Sequence, residues 1–186
     1  MSGLEFCQWL ADTPWSIALH EGPYALVESV HVLTLCIFVG LAVMLDLRLL
    51  GVMMRRVPVS EVARRLLPWT IAGFVVMVIS GALLFYAIPV RSYQSIWFRF
   101  KVLMLILAGL NVWVFHSGIY RRVSNWDRDP VAPRPARVAA TLSLVLWAAI
   151  VLSGRMIAYN WFDCYKPQSA LVTLLAGCVP ADLAGR

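Results

Sequence analysis

The chain has 186 residues, 61% of them hydrophobic and 14% charged, with a mean hydropathy of +0.76. That balance excludes an ordinary soluble domain. The formal net charge of +6 does not point to nucleic acid, because the arginines gather in two connections between apolar runs and not in one basic surface.

Four charge-free runs organise the sequence: Ser29 to Leu45, Leu66 to Val90, Val102 to Tyr120 and Val138 to Gly154. Each approaches the ~20 apolar residues that cross a hydrocarbon layer about 30 Å thick. They lack the period-2 alternation of a membrane barrel, so the expected spans are helices. The expectation is an all-α fold, a single membrane domain over 1–186 built as an integral membrane four-helix bundle. Its surroundings are the lipid bilayer.

In chain order, residues 3–20 mix apolar and polar side chains over a length too short to span, which suits an interfacial amphipathic helix interrupted near Thr13 and Pro14. Gly22 and Pro23 mark the turn into the first span, expected over about 24–50 and ended by Gly51. The connection through Pro58 and Glu61 reads as a short helix start with Ser60 as a candidate cap. The remaining spans are expected over about 66–88, 97–120 and 137–159. Asp127 to Pro135 reads as an extended proline-rich loop. Residues 168–180 are a last apolar segment, too short to cross, expected as a helix on the outer face.

Arg48, Arg55, Arg56, Arg64 and Arg65 border the first connection, and Arg121, Arg122, Arg128, Arg134 and Arg137 border the third. The positive-inside bias makes that face cytoplasmic and both termini periplasmic, in a bacterial inner membrane. No basic n-region precedes the first run, so no cleaved leader is expected. Trp9, Trp15, Tyr24, Tyr86, Tyr93, Trp97, Tyr159, Trp161 and Tyr165 fall near the outer boundary as an aromatic belt. Cys164 and Cys178 flank the last apolar segment in a compartment where disulfides persist, and either a bridge or free thiols fits the sequence. Cys7 falls on the same side, while Cys36 reads as a small packing residue.

Charged or imidazole groups within spans mark a site or an ion pair. Glu28 and His31, spaced i, i+3, share a helical face and offer a carboxylate and an imidazole to a metal such as copper, with His20 and His116 as further candidate ligands. The alternative is that Glu28 pairs with Arg155 while His31 hydrogen-bonds between helices. A haem b site uses the same histidine with Met104 as the second axial ligand, Gly81 and Gly154 leaving room for the macrocycle, and Arg155 answering a propionate beside Tyr159. His116 lies roughly 18 Å deeper than His31 at ~1.5 Å per residue, so the two cannot face one iron. Met44 stands near its depth. Asp46 and Arg48 read as an ion pair at the inner end, near Asn111 or Arg121.

The strings Glu28-x-x-His31, Asp46-Leu47-Arg48-Leu49-Leu50-Gly51 and Gly154-Arg155-x-Ile157-Ala158-Tyr159 resemble a bacterial domain-of-unknown-function family of small four-span membrane proteins. The likeness covers nearly the whole chain and implies fold and location. More remotely, the plan is similar to four-helix membrane cytochromes b and to the copper-resistance protein D family. Three functions follow as expectations: a redox subunit binding haem b and exchanging electrons with quinone or a periplasmic or membrane partner; a copper-handling protein of the periplasmic face; or a structural subunit of a membrane complex. No motif for hydrolysis or nucleotide use is present.

Overall fold

Ser2 and Glu5 cap the first helix of the chain reciprocally, the Glu5 N–H donating to Ser2 Oγ at 3.2 Å and the Ser2 N–H to Glu5 Oε2 at 2.7 Å. This helix, α1 (Gly3–Ala11), is followed by α2 (Pro14–Glu21), capped by Thr13 with Pro14 in its first turn. The break expected at Thr13 and Pro14 is therefore real. The computed structural model describes residues 2–159, 162, 164 and 167–178. Trp161 and Tyr165 of the expected aromatic belt, and the last two residues of the 168–180 segment, lie outside the described residues.

All regular structure among the described residues is helical. The long helices are α3 (Tyr24–Leu49), α4 (Val59–Ala87), α6 (Ile96–Val114) and α7 (Arg134–Ala158), with α5 (Pro89–Tyr93) a short turn between α4 and α6 and α8 (Ala170–Ala176) near the end of the chain. The four long ones are long and apolar enough to cross a bilayer, as expected for a multi-pass membrane protein. Side chains such as Leu33, Ile37, Ile79, Leu103 and Leu152 point outward and are more than half exposed. Lipid, not water, is the solvent that such a surface tolerates.

Neighbouring spans run antiparallel. Residue 31 stands opposite residue 81 and residue 38 opposite residue 73 across α3 and α4. Asn111 donates from Nδ2 to the Ala139 carbonyl at 2.9 Å across α6 and α7. Helices α3 and α7 meet at Phe38 and Trp147, edge to face at 4.8 Å. One core cluster gathers Phe38, Met77, Ala108, Leu146, Trp147 and Ile150, and a second gathers Leu49, Val59, Phe115, Trp126 and alanines of α7 near the arginine-rich end. By contrast α4 and α6 barely touch.

Two boundaries differ from expectation. The helix start expected at Pro58 to Glu61 is real, but it is not a separate short helix: α4 runs unbroken from Val59 into the second span, and its cap comes from the other loop, where Asp127 accepts the Ser60 N–H and the Ser60 hydroxyl, each at 2.7 Å, and the Val59 N–H donates to the Asp127 carbonyl at 3.0 Å. Ser60 is thus bound by a cap and is not itself one. The third span does not continue as an α-helix to Tyr120. It passes into a π-helical turn over Phe115–Ile119 and a tight 3-10 turn over Tyr120–Asn125, which bring Phe115 and Trp126 into the second cluster.

The two arginine-rich connections close on each other. Arg48 is fully buried, donating from Nε to Val57 O at 2.7 Å and from Nη2 to Asp129 O at 3.0 Å. Asp46 and Arg48 are not the ion pair expected from sequence: Arg48 turns toward the loops and Asp46 toward Ser143 of α7. Gly51, with φ +71°, passes so close to Pro130 and Val131 that a Cβ would sit 2.9 Å from the Pro130 carbonyl oxygen.

At the opposite end, where α1, α2, α5 and α8 lie, Ser16 donates to Tyr86 O at 2.8 Å and Thr13 meets the Tyr86 hydroxyl at 2.7 Å, fastening α2 to α4. Arg99 donates to Leu175 O at 2.7 Å and holds α8. A disulfide joins Cys164 and Cys178. Cys7 is buried, but Cys36 is exposed on the apolar surface and is not the packing residue that the sequence suggested.

Candidate functional site

The gap between α4 and α6 continues into a cavity of about 1170 Å³ inside the bundle, with walls from all four long helices. Its walls are mainly apolar, with Phe38, Phe74, Phe85 and Trp147 among them. The volume exceeds the ~300–1,000 Å³ typical of small-molecule sites. A few polar side chains interrupt the walls, and they fall at two levels.

Near the face that carries α1 and α2 stand His31 and Lys101. His31 Nδ1 lies 2.9 Å from Ser80 Oγ, and the Ser80 hydroxyl is itself 2.7 Å from the Val76 carbonyl oxygen, where it acts as donor. Ser80 must then accept from His31, which puts the imidazole proton on Nδ1 and leaves the Nε2 lone pair free. Histidines that ligate a metal commonly donate their other ring N–H in this way, so the geometry is compatible with a ligand at Nε2. Gly81 gives the ring its space, since a Cβ there would lie 3.2 Å from His31 Cε1.

Lys101 is the residue that the sequence reading missed. Its ammonium interacts electrostatically with His31 and lies 3.9 Å from where a Gly154 Cβ would be. Among the described residues it has no carboxylate partner and no hydrogen bond. An ammonium held within a span without a partner is costly, so one left unanswered by the fold would be completed by an anion. A signal existed: at ~1.5 Å per residue, Lys101 and His31 both lie about 8–10 Å inside their helices from the same face.

The other expected site residues do not converge on this point. Met104 packs against the Phe38 and Trp147 cluster and is not in the cavity wall. Arg155 is exposed and donates from Nη2 to the Tyr159 hydroxyl at 2.9 Å, with its guanidinium over that ring. Neither reaches the cavity, and no Glu28–Arg155 ion pair forms among the described residues. Glu28 is exposed. His20 lies in a separate hollow beside Ser16, Ala87 and Arg91, stacked edge-on against Tyr24, and does not fold over His31.

Toward the arginine-rich face the walls carry Asp46, Asn111, Ser143 and His116. His116 is exposed and donates from Nδ1 to Val112 O at 3.0 Å, while Met44 is outside the wall. Among the described residues no group of three or more His, Cys, Asp or Glu side chains is placed to hold a metal ion. No curated protein and no solved structure matches this chain. A family model does match, over residues 17–160, which takes in all four spans and every wall residue of the cavity, and the chain accordingly belongs to DUF6644, a family of unknown function.

Proposed function

We propose that this protein is a membrane redox subunit whose cavity holds haem b near the face opposite the arginine-rich connections, with His31 Nε2 as iron ligand. The observation that carries the reading is the pairing, on one apolar cavity, of a histidine with a free nitrogen and a lysine with no anionic partner among the described residues. Haem b matches each component: iron for the imidazole, a flat apolar macrocycle for the aromatic walls and Gly81, and a propionate for Lys101. These residues fit the group. Met104 and Arg155 leave the proposed set, and Lys101 takes the propionate role first given to Arg155. When bound, haem supplies one-electron chemistry, and the protein's part is to fix the ligand nitrogen, exclude water and neutralise the propionate.

Copper handling draws less support, because Glu28 is exposed and outside the wall that His31 faces. In this reading the arginine-rich connections face the cytoplasm of a bacterial inner membrane and haem lies toward the periplasm, exchanging electrons with quinone or a partner protein. Reporter fusions within 121–135 and at both termini check the orientation.

The deciding experiment is the visible spectrum of the purified chain, oxidised and reduced. A Soret band and a reduced α-band, both lost in His31→Ala and weakened in Lys101→Met, are expected. Wild-type protein without a chromophore after expression with ample haem would refute the reading.

A further inference from the structure

The arginine-side half of the cavity contains a polar group that the haem reading does not use. Asp46 is a wall residue only 7% exposed, and its Oδ2 has no hydrogen-bond partner. Its carboxyl meets the Ser143 hydroxyl on α7. One turn away on the same helix, the Ala139 carbonyl accepts from Asn111 Nδ2, which leaves the Asn111 side-chain oxygen free to accept. Asp46 and Asn111 therefore stand at one depth, roughly 22 Å from His31 along α3 at ~1.5 Å per residue.

A buried carboxyl oxygen without a partner is costly in hydrocarbon, and such groups in native proteins call for an explanation. From its chemistry and surroundings we infer that this end of the cavity binds a quinol, an apolar ring carrying hydroxyl groups. A hydroxyl can donate to a carboxylate or accept from a carboxylic acid, so it completes Asp46 in either state. The ring lies between Trp147 and the aliphatic wall, and its tail leaves through the gap between α4 and α6, where the half-exposed Leu67, Ile71 and Val112 line the opening to lipid. A membrane-soluble ligand needs such a lateral passage. Quinol binding stands independently of haem; only an exchange of electrons between the two would rest on the proposed function.

The test titrates the purified full chain in detergent, without oxygen, with a decyl-tailed benzoquinol, following the quenching of tryptophan fluorescence. Saturable binding is expected, weakened about tenfold or more in Asp46→Leu through loss of a hydrogen bond to a charged or acidic group. Gly109 lines the same cavity, and a Cβ there would meet nothing within 4 Å. Gly109→Phe therefore starts its side chain in open space and takes up part of the cavity, and should abolish binding even if Asp46→Leu does not fold. Unchanged binding in Gly109→Phe or in folded Asp46→Leu overturns the inference, as does equal affinity for decylbenzene, which lacks the hydroxyls. Binding retained in His31→Ala supports it. Quinol binding by a chain with no Soret band would refute the haem reading alone.

Discussion

The two polar clusters of this bundle are built on opposite plans. At the arginine-rich face, Arg48 and Asp127 draw two loops together through bonds at 2.7–3.0 Å, and nearly every donor finds an acceptor. In the cavity, His31 keeps one nitrogen free, Lys101 has no partner among the described residues and Asp46 leaves an oxygen unbonded. Groups completed by the fold stabilise the chain alone. Groups left incomplete lower that stability and gain it back from a ligand.

The largest effect is expected at the completed cluster. Arg48 is fully buried, its Nη1 has no hydrogen-bond partner, and Asp127 and Asp129 supply the compensating charge. Arg48→Met leaves the Val57 and Asp129 carbonyls without their donor inside the closed loops and removes one of the charges that face Asp127, and should cost about 3–5 kcal/mol. Thermal unfolding of the purified variant in detergent measures this. A loss under about 1 kcal/mol would mean that the loops close without it.

Lys101→Met should act in the opposite sense. It removes a charge that has no partner among the described residues, so the cofactor-free protein should be unchanged or more stable, while haem retention falls. Equal destabilisation of the cofactor-free forms of Lys101→Met and Arg48→Met would erase the distinction between the two clusters.

What the sequence made legible follows the same division. The four spans could be read because bilayer thickness imposes a length on each apolar run, and the break at Thr13 and Pro14 because proline and a capping hydroxyl act locally. The helix start at Pro58 to Glu61 could be read, but not its unbroken run into the second span, nor its cap, because Asp127 is 67 residues away from Ser60 in the chain. The π turn at Phe115–Ile119 depends on drawing Phe115 toward Trp126, which no periodicity announces. In the candidate site, His31 and Gly81 were legible from depth alone. Met104 and Arg155 also satisfied depth but face elsewhere, since depth along a helix fixes height and not direction.

A smaller effect is expected from the cap itself. Burial works to raise the Asp127 carboxyl, but the Ser60 N–H and hydroxyl and the charges of Arg128 and Arg48 outweigh it and hold the group below the ordinary carboxylate range. A carboxyl depressed in the folded state adds stability that is complete well above the ordinary value of ~3.9 and is lost as pH falls through the folded value. Asp127→Ala should cost about 1–2 kcal/mol at neutral pH, the range of a lost helix cap with its helix-dipole contribution. Melting temperatures between about pH 5 and pH 3 should fall less steeply in Asp127→Asn than in wild type, and parallel slopes would show that Asp127 is not the group that titrates.

The smallest expected effect tests whether the cavity is real space. Glycine inside a helix costs roughly 0.5–1 kcal/mol relative to alanine, so a glycine persists where a side chain would collide or where room is needed. At Gly109, on the cavity wall, a Cβ would have no neighbour within 4 Å. Gly109→Ala should therefore stabilise the chain by a few tenths of a kcal/mol up to about 1, without changing ligand binding, because one methyl group takes little of so large a space. Gly81→Ala is the control: its Cβ would press on His31 Cε1 at 3.2 Å, so it should disturb the Ser80-held imidazole and lower haem content instead. If both alanines behave alike, the wall at Gly109 is as tightly packed as the histidine seat, and the arginine-side half of the cavity is not open to a ligand.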